Sequence, residues 1–204
     1  MTSLTETTLL KAVTLLCERD HRLKSVVDRF GPPPLWSRAP GFATLIHIIL
    51  EQQVSLASAQ ACFDKLRARV SNLNPPEFLK LNDEELLGLG FSRQKARYSR
   101  ILAQAILAGS LDISRFEKQS DADVFSKLTA LTGIGPWTAN IYLLMAQGRP
   151  DIWPVGDLAL VIAIQKLYEL DHRPNEPEFI EMGEAWRPYR AVAARILWHY
   201  YLSR

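Results

Sequence analysis

The chain has 204 residues, of which 48% are apolar, so it is long enough to bury a core within a single domain. Its formal net charge is only +2, which neither requires nor excludes a polyanionic partner, so any grip on phosphate must be local. No apolar run reaches the length of a membrane span, and Cys17 and Cys62 lack the spacing of a metal ribbon or a disulfide framework.

Taken in chain order, the predicted elements are helices, because apolar residues recur three and four positions apart and no convincing alternating strand is present. The helical stretches are LTETTLLKAVTLLCER, FATLIHIILEQQ, SLASAQACFDKLRARV, NDEELLGL, SRQKARYSRILAQAILAG, SDADVFSKLTAL, PWTANIYLLMAQ, GDLALVIAIQKLYEL, EPEFIEMGEAW and PYRAVAARILWHYYLS. Gly and Pro clusters mark their ends, but none is long enough to be a flexible linker. The sequence thus predicts an all-α fold of about ten short helices in one domain.

Basic residues open one of these helices, SRQKARYSR, which carries Arg93, Lys95 and Arg97. Their side chains can touch a phosphate backbone. More often, such a pattern marks a solvent-exposed helix face whose charged side chains form ion pairs along the helix.

A tight turn is predicted in LTGIGPWTAN, where Gly133, Ile134 and Gly135 separate two helices and Pro136 takes the first position of the second helix. Glycine permits a positive φ and lets another backbone come close. Successive N–H groups at a helix N-terminus can hold a phosphate without a lysine. The turn therefore fits a nucleic-acid contact, and an ordinary helix–helix turn that buries Trp137 fits it equally well.

An acidic residue ends the next loop, in RPDIWPVGDLALVIAIQKLYEL. Asp157 stands where a helix N-cap is expected, and aspartate is a good cap. A rigid loop can also fix such a carboxylate at the lip of a cleft for chemistry. Capping and catalysis do not exclude each other.

Together these stretches resemble the helix-hairpin-helix DNA glycosylases, whose hairpin is followed by a Gly/Pro-rich loop ending in aspartate. IILEQQVSLASAQ and WRPYRAVAARILW narrow the resemblance to the alkyl-purine branch, the 3-methyladenine DNA glycosylase II type, from about Asp20 to Tyr201. The resemblance implies one domain over 1–204, with a DNA-binding cleft between two lobes. Lobe one would cover about 40–150, and lobe two about 1–39 with 151–204.

The resemblance also implies site residues. Asp157 would be the catalytic carboxylate, and Trp137 and Trp198 would line the pocket for the extruded base. Family members that also cut the strand carry a lysine where this chain has Trp137, so lyase activity is not expected. The phosphate-binding hairpin would consist of Gly133, Ile134, Gly135 and Thr138.

The resemblance also implies a DNA wedge, a bound ion and a DNA partner, while composition and size indicate the oligomeric state and the location of the protein. The DNA wedge falls on Gln53, or on Gln52 if the register is shifted by one residue. A structural Na⁺ or K⁺ would bind the backbone carbonyls of Thr129, Leu131 and Ile134, and no other cofactor is required. The partner would be double-stranded DNA containing alkylated bases. The protein would be a monomer without membrane contact, in the cytoplasm or nucleoid of a bacterium or the nucleus of a eukaryote.

The expected reaction is base excision that leaves an abasic site, with 3-methyladenine or 7-methylguanine as substrate. Two positions depart from the branch pattern, since Ile141 and Leu158 replace aromatic residues. A smaller aromatic cage leaves open a preference for neutral bases such as hypoxanthine or ethenoadenine. The sequence also leaves open a non-catalytic binder of damaged DNA, a glycosylase for oxidised bases or mismatches, and a helical interaction module.

Overall fold

A computed structural model of the protein describes residues 3–203, and every regular element in that range is helical, which confirms the all-α prediction. Twelve α-helices and one 3-10 helix occur in it. In chain order they are α1 (Glu6–Arg19), α2 (His21–Phe30), α3 (Phe42–Glu51), α4 (Leu56–Arg69), α5 (Pro75–Leu79), α6 (Asp83–Leu89), α7 (Arg93–Leu107), the 3-10 helix (Ile113–Lys118), α8 (Asp121–Thr129), α9 (Pro136–Met145), α10 (Leu158–Leu167), α11 (Glu176–Glu184) and α12 (Arg190–Leu202).

Three of these elements, α2, α5 and the 3-10 helix, were not predicted from the sequence. Asp20 ends α1 and also caps α2, because its Oδ1 accepts the Arg22 N–H at 2.9 Å, so two helices follow each other without a loop. Helix α5 has only 5 residues, too few for an apolar period to be visible, and its signals are the Asn74 cap and two prolines.

One structural unit comprises the chain up to Ser37 and from Leu143 onward, with α12 in its core. Arg195 is only 1% exposed, and its guanidinium donates to the carbonyls of Leu35, Ala191 and Leu144 at 2.8–2.9 Å. Burial lowers the pKa of Arg195 to about 10. Three carbonyl acceptors compensate the buried charge in part and fix α12 against its neighbours.

The other unit is Arg38–Tyr142, and α3 is its most apolar helix. Helix α3 packs against α4 and α7. Four of its residues are 0% exposed: Leu45, Ile46, Ile48 and Ile49. The lobe boundaries expected from the resemblance lie near residues 39 and 150. In the structure the chain passes from one unit to the other between residues 37 and 38 and again between residues 142 and 143, so the second boundary falls within α9.

No helix within residues 3–203 combines the length and the apolar character needed to cross a membrane.

Candidate functional site

The loop before α10 delivers Asp157 to the start of that helix. Val155 N–H donates to the Trp153 carbonyl at 2.9 Å and Asp157 N–H to the Pro154 carbonyl at 3.2 Å, which closes a compact turn. Gly156 supplies the left-handed backbone of this turn, with φ +86°. The side chain of Asp157 accepts the Leu160 N–H at 3.0 Å, so the N-cap that the sequence predicts is present.

Trp198 on α12 makes a second hydrogen bond to the same carboxylate oxygen. Its indole Nε1–H donates to Asp157 Oδ1 at 3.1 Å, while Asp157 is 7% exposed and Trp198 is 8% exposed. Two N–H donors from different helices therefore fix the position of Oδ1. The sequence did not indicate this contact, because the two residues lie 41 positions apart.

Trp153 anchors the loop that carries Asp157. Its ring stacks on Phe179 at 4.6 Å between centroids, and its indole N–H donates to the Phe179 carbonyl at 2.9 Å. A Cβ on Gly183 would come within 2.7 Å of the Trp153 ring, so glycine there lets the indole pack closely on α11. The start of the Pro154–Asp157 turn is thus fixed by aromatic packing.

The hairpin between α8 and α9 requires glycine at one position for two reasons. Gly133 has φ +96°, and a Cβ on it would lie 2.1 Å from the Tyr98 ring. Gly135 differs, because it lies outside the left-handed region and a Cβ there would meet nothing within 4 Å. The expectation of positive φ therefore holds for Gly133 alone, and Gly135 leaves open space at an exposed backbone.

The other hairpin residues divide into buried and accessible ones. Ile134 is 3% exposed and Thr138 is 2% exposed, so their side chains anchor the turn and cannot reach a large ligand. Trp137, at the second position of α9, is partly exposed. Any contact of Ile134 with a phosphate must therefore use its backbone.

The side chains of Gln52 and Gln53 lie in different environments. Gln52 is partly buried, and its Nε2 donates to the Gly133 carbonyl and to Thr138 Oγ1, both at 2.9 Å. Gln53 is exposed and has φ +56°, which is strained for a non-glycine residue. The side chain of Gln53 is therefore the one accessible to a partner, and Gln52 is bound to the hairpin.

Of the basic residues at the start of α7, one is bonded within the fold and two are exposed to solvent. Lys95 Nζ donates to the Leu50 carbonyl at the end of α3, at 2.7 Å, and desolvation by burial lowers the pKa of Lys95. Arg97 lies over the Tyr98 ring at 5.9 Å, whereas Arg93 is exposed. Lys95 therefore stabilises α3, and Arg93 and Arg97 are the residues of this group that remain near solvent.

The proposed cation ligands lie at the end of α8 and in the turn after it. The Leu131 carbonyl accepts the Ile134 N–H at 3.0 Å, and a carbonyl oxygen has a second lone pair for a cation. In the part of the chain that the structure describes, no cluster of three or more His, Cys, Asp or Glu side chains could hold a metal ion. Backbone carbonyls such as those of Thr129, Leu131 and Ile134 are hard oxygen ligands, which suit hard cations rather than soft metal ions.

The two departures from the aromatic pattern lie in different environments. Ile141 is 2% exposed and belongs to the core, while Leu158 is 61% exposed directly after Asp157. Of these two residues, Leu158 is the one that presents an aliphatic surface to solvent beside the carboxylate.

Comparisons with known proteins agree on one family. The family model described as HhH-GPD superfamily base excision DNA repair protein matches residues 46–188. The solved structure of Schizosaccharomyces pombe 3-methyladenine DNA glycosylase (Mag1) in complex with abasic DNA is 27% identical, with a TM-score of 0.86 over 92% of this chain and 95% of that one.

Two further proteins extend this similarity. A crystal structure of a DNA-3-methyladenine glycosidase from Bacillus halodurans is 30% identical, with a TM-score of 0.75 over 97% of this chain and 91% of that one. The alkylbase DNA glycosidase-like protein mag2 of Schizosaccharomyces pombe is 28% identical over 187 residues, which cover 88% of this chain and 87% of that protein.

Proposed function

The chain belongs to the HhH-GPD superfamily of base excision DNA repair proteins, in its alkyl-purine branch, and from this premise we propose that it is a DNA glycosylase for alkylated purines. The observation that carries the proposal is Asp157, a buried carboxylate whose Oδ1 is held by the N–H groups of Leu160 and Trp198. An ordinary helix cap needs only the first of these bonds. The second bond gives the carboxylate a fixed orientation, which a catalytic group requires.

The proposed reaction is hydrolysis of the N-glycosidic bond. The bond between the base nitrogen and deoxyribose C1′ breaks, and the base leaves with the electron pair. A water oxygen bonds to C1′ and gives up a proton to the Asp157 carboxylate or to solvent, so the products are a free base and an abasic site. The Asp157 carboxylate would stabilise the positive charge that develops on the sugar and assist the water.

Alkylated purines are the substrate class that we propose first. Methylation at N3 or N7 gives the purine a positive charge, which weakens the glycosidic bond and attracts aromatic faces. Trp137 is partly exposed and is our proposed stacking partner for the extruded base. The names of the relatives point to 3-methyladenine, and 7-methylguanine carries the same charge.

Neutral damaged bases are a second candidate, favoured by Leu158. Its aliphatic side chain is 61% exposed next to Asp157, where the branch pattern has an aromatic residue. A pocket with fewer aromatic faces loses part of its preference for a cation. Hypoxanthine and ethenoadenine are therefore the bases to test after the methylated purines.

Strand cleavage is not part of the proposal. A Schiff base with the sugar needs an amine, and the hairpin position that would supply it holds Trp137. The abasic strand would therefore leave the enzyme unbroken.

Duplex DNA is the proposed partner of a monomeric enzyme. The exposed backbone at Gly135, before the N-terminus of α9, would contact a phosphate. Na⁺ or K⁺ on the carbonyls of Thr129, Leu131 and Ile134 would add positive charge there.

The test compares the wild type with Asp157→Asn on methylated duplex DNA, with released bases separated by chromatography. Asparagine keeps an Oδ1 that can accept both N–H groups, so the variant should fold and bind DNA while it loses the negative charge. We expect the wild type to release methylated purines and leave intact abasic strands. The variant should be at least about 100-fold slower.

Each other outcome has a definite meaning. Excision by Asp157→Asn at the wild-type rate would overturn the role of this carboxylate. If the wild type binds DNA but releases no methylated, deaminated or etheno base, the proposal of an enzyme is wrong and the protein is a non-catalytic binder of damaged DNA.

A further inference from the structure

The chain segment that ends α3 is tied to the rest of its unit at several points. The Arg38 guanidinium forms a two-pronged ion pair with Glu51, with N–O distances of 2.7 and 2.9 Å, and the Glu51 side chain is 5% exposed. Lys95 donates to the Leu50 carbonyl at 2.7 Å. These bonds fix the last turn of α3 just before the two glutamines.

Gln52 extends this fixed segment to the hairpin. Its side-chain NH₂ group uses both hydrogens, one on the Gly133 carbonyl and one on Thr138 Oγ1, each at 2.9 Å. Gly133 lies in the turn and Thr138 in the first turn of α9. One amide group therefore bridges the two parts of the hairpin and joins both to the end of α3.

Gln53 follows directly and holds a left-handed backbone, with φ +56°. Such strain persists only where the surrounding structure determines it. Gln52 fixes one side of Gln53, and on the other side Ser55 caps α4 by accepting the Ser58 N–H at 3.2 Å. The side chain of Gln53 is therefore exposed, while its backbone is held in place by the bonds of the residues on either side.

We propose that Gln52 is a positioning residue that sets Gln53 in register with the phosphate-binding hairpin, so that the wedge enters the base stack while the hairpin holds the backbone. This inference rests on the proposed function and on the expectation from the family resemblance that Gln53 is the DNA wedge. Base extrusion from a paired duplex needs both contacts at once, and a misplacement of about 1 Å between them is costly. Gln52 acts on extrusion and has no part in breaking the glycosidic bond.

The test uses Gln52→Glu, which keeps the side-chain shape but replaces the NH₂ donors with an oxygen facing the Gly133 carbonyl. Gln104→Glu is the control, because Gln104 is exposed on α7 and undergoes the same change of charge. Thr138→Val is a second variant that removes one of the two acceptors and keeps the Gly133 bond. Thermal melting establishes whether each protein is folded. If Gln52→Glu does not fold, Thr138→Val is used in its place in the measurements.

Single-turnover excision is measured for one damaged base in a fully paired duplex and in an unpaired bubble. We expect Gln52→Glu to be at least about tenfold slower on the duplex and within about twofold of wild type on the bubble, where extrusion costs little. An unchanged duplex rate would overturn the inference. An equal loss on both substrates would also overturn it, since Gln52 would then act on the chemistry or on the fold.

Fluorescence of 2-aminopurine placed next to the damaged base reports unstacking without any chemistry. The wild type should raise this fluorescence more than Gln52→Glu does, and equal signals would contradict the positioning role. If the wild type unstacks the base but excises none, the proposed function fails while the comparison of unstacking still decides the role of Gln52.

Discussion

At the scale of single residues, Trp198 shows how the structure changes the interpretation of a motif. The family resemblance implies that Trp198 lines the base pocket, where its ring face would stack. In the structure Trp198 is 8% exposed, and its indole N–H donates to Asp157 Oδ1. The edge of the ring therefore has a defined role in holding the carboxylate, whatever its face contributes.

Replacing Trp198 with Phe separates these two roles. Phenylalanine retains an aromatic face but loses the N–H donor to Asp157, and a hydrogen bond to a charged group contributes about 1.5–3 kcal/mol. We expect single-turnover excision to slow by about tenfold or more while affinity for abasic DNA stays within about twofold. A variant that loses affinity but keeps the wild-type rate would show that Trp198 acts by stacking.

The residues of this site were predictable to different degrees. Asp157 was found because a Gly/Pro loop before a helix marks a cap, which is a local signal. The Trp198 bond and the Gln52 bridge join residues 41 and 81–86 positions apart, and no local pattern reports such contacts. Only the folded backbone brings these side chains together.

At the scale of elements, the long amphipathic helices were predictable and the short ones were not. The period of α7 is visible over its 15 residues, whereas α5 has 5 residues and less than two helical turns. Helix α2 was missed for another reason, because Asp20 serves as the end of one helix and the cap of the next. A prediction that looks for loops between helices passes over such a junction.

A substitution in the hairpin is predicted to weaken DNA binding without changing the stability of the protein. Gly135→Ala adds a methyl group to open space, so the free energy of unfolding should change by less than about 0.5 kcal/mol. If a phosphate approaches this backbone, the methyl group will obstruct it, and affinity for duplex DNA should fall about tenfold. Fluorescence anisotropy with a labelled duplex measures the affinity.

Gly88→Ala is the matched control, since Gly88 is also exposed, lies in α6 and has open space where the added methyl group would stand, with nothing within 4 Å. It should bind DNA as the wild type does. Wild-type affinity in Gly135→Ala would remove Gly135 from the phosphate contact.

At the scale of the whole molecule, hydrogen bonds to one partly buried carboxylate, Asp20, join distant parts of the chain within one unit. Asp20 Oδ2 accepts the Tyr168 hydroxyl at 2.5 Å and the Trp186 indole N–H at 3.0 Å, while Oδ1 caps α2. Burial alone would raise the pKa of Asp20, but the bonds from Tyr168, Trp186 and two backbone N–H groups outweigh it and lower the pKa. The network therefore favours the ionised carboxylate.

This shift predicts how stability depends on pH. Because the pKa of Asp20 is lower in the folded state than in the unfolded chain, its contribution is complete above about pH 4 and is lost as the pH falls through the folded value. We expect Asp20→Asn to be less stable than wild type by roughly 1–2 kcal/mol at neutral pH, since the bonds from Tyr168 and Trp186 lose their charged acceptor. Below about pH 4 the two proteins should converge.

Urea unfolding at a series of pH values measures the difference between the two proteins, in which the contributions of the other carboxylates cancel. Asp171→Asn, an exposed substitution with the same change of charge, controls for net charge. A difference between wild type and Asp20→Asn that stays constant from neutral to acidic pH would mean that the network acts by packing and neutral hydrogen bonds. Convergence would mean that the charge of one carboxylate stabilises the junction of α1 and α2 together with Tyr168 and Trp186.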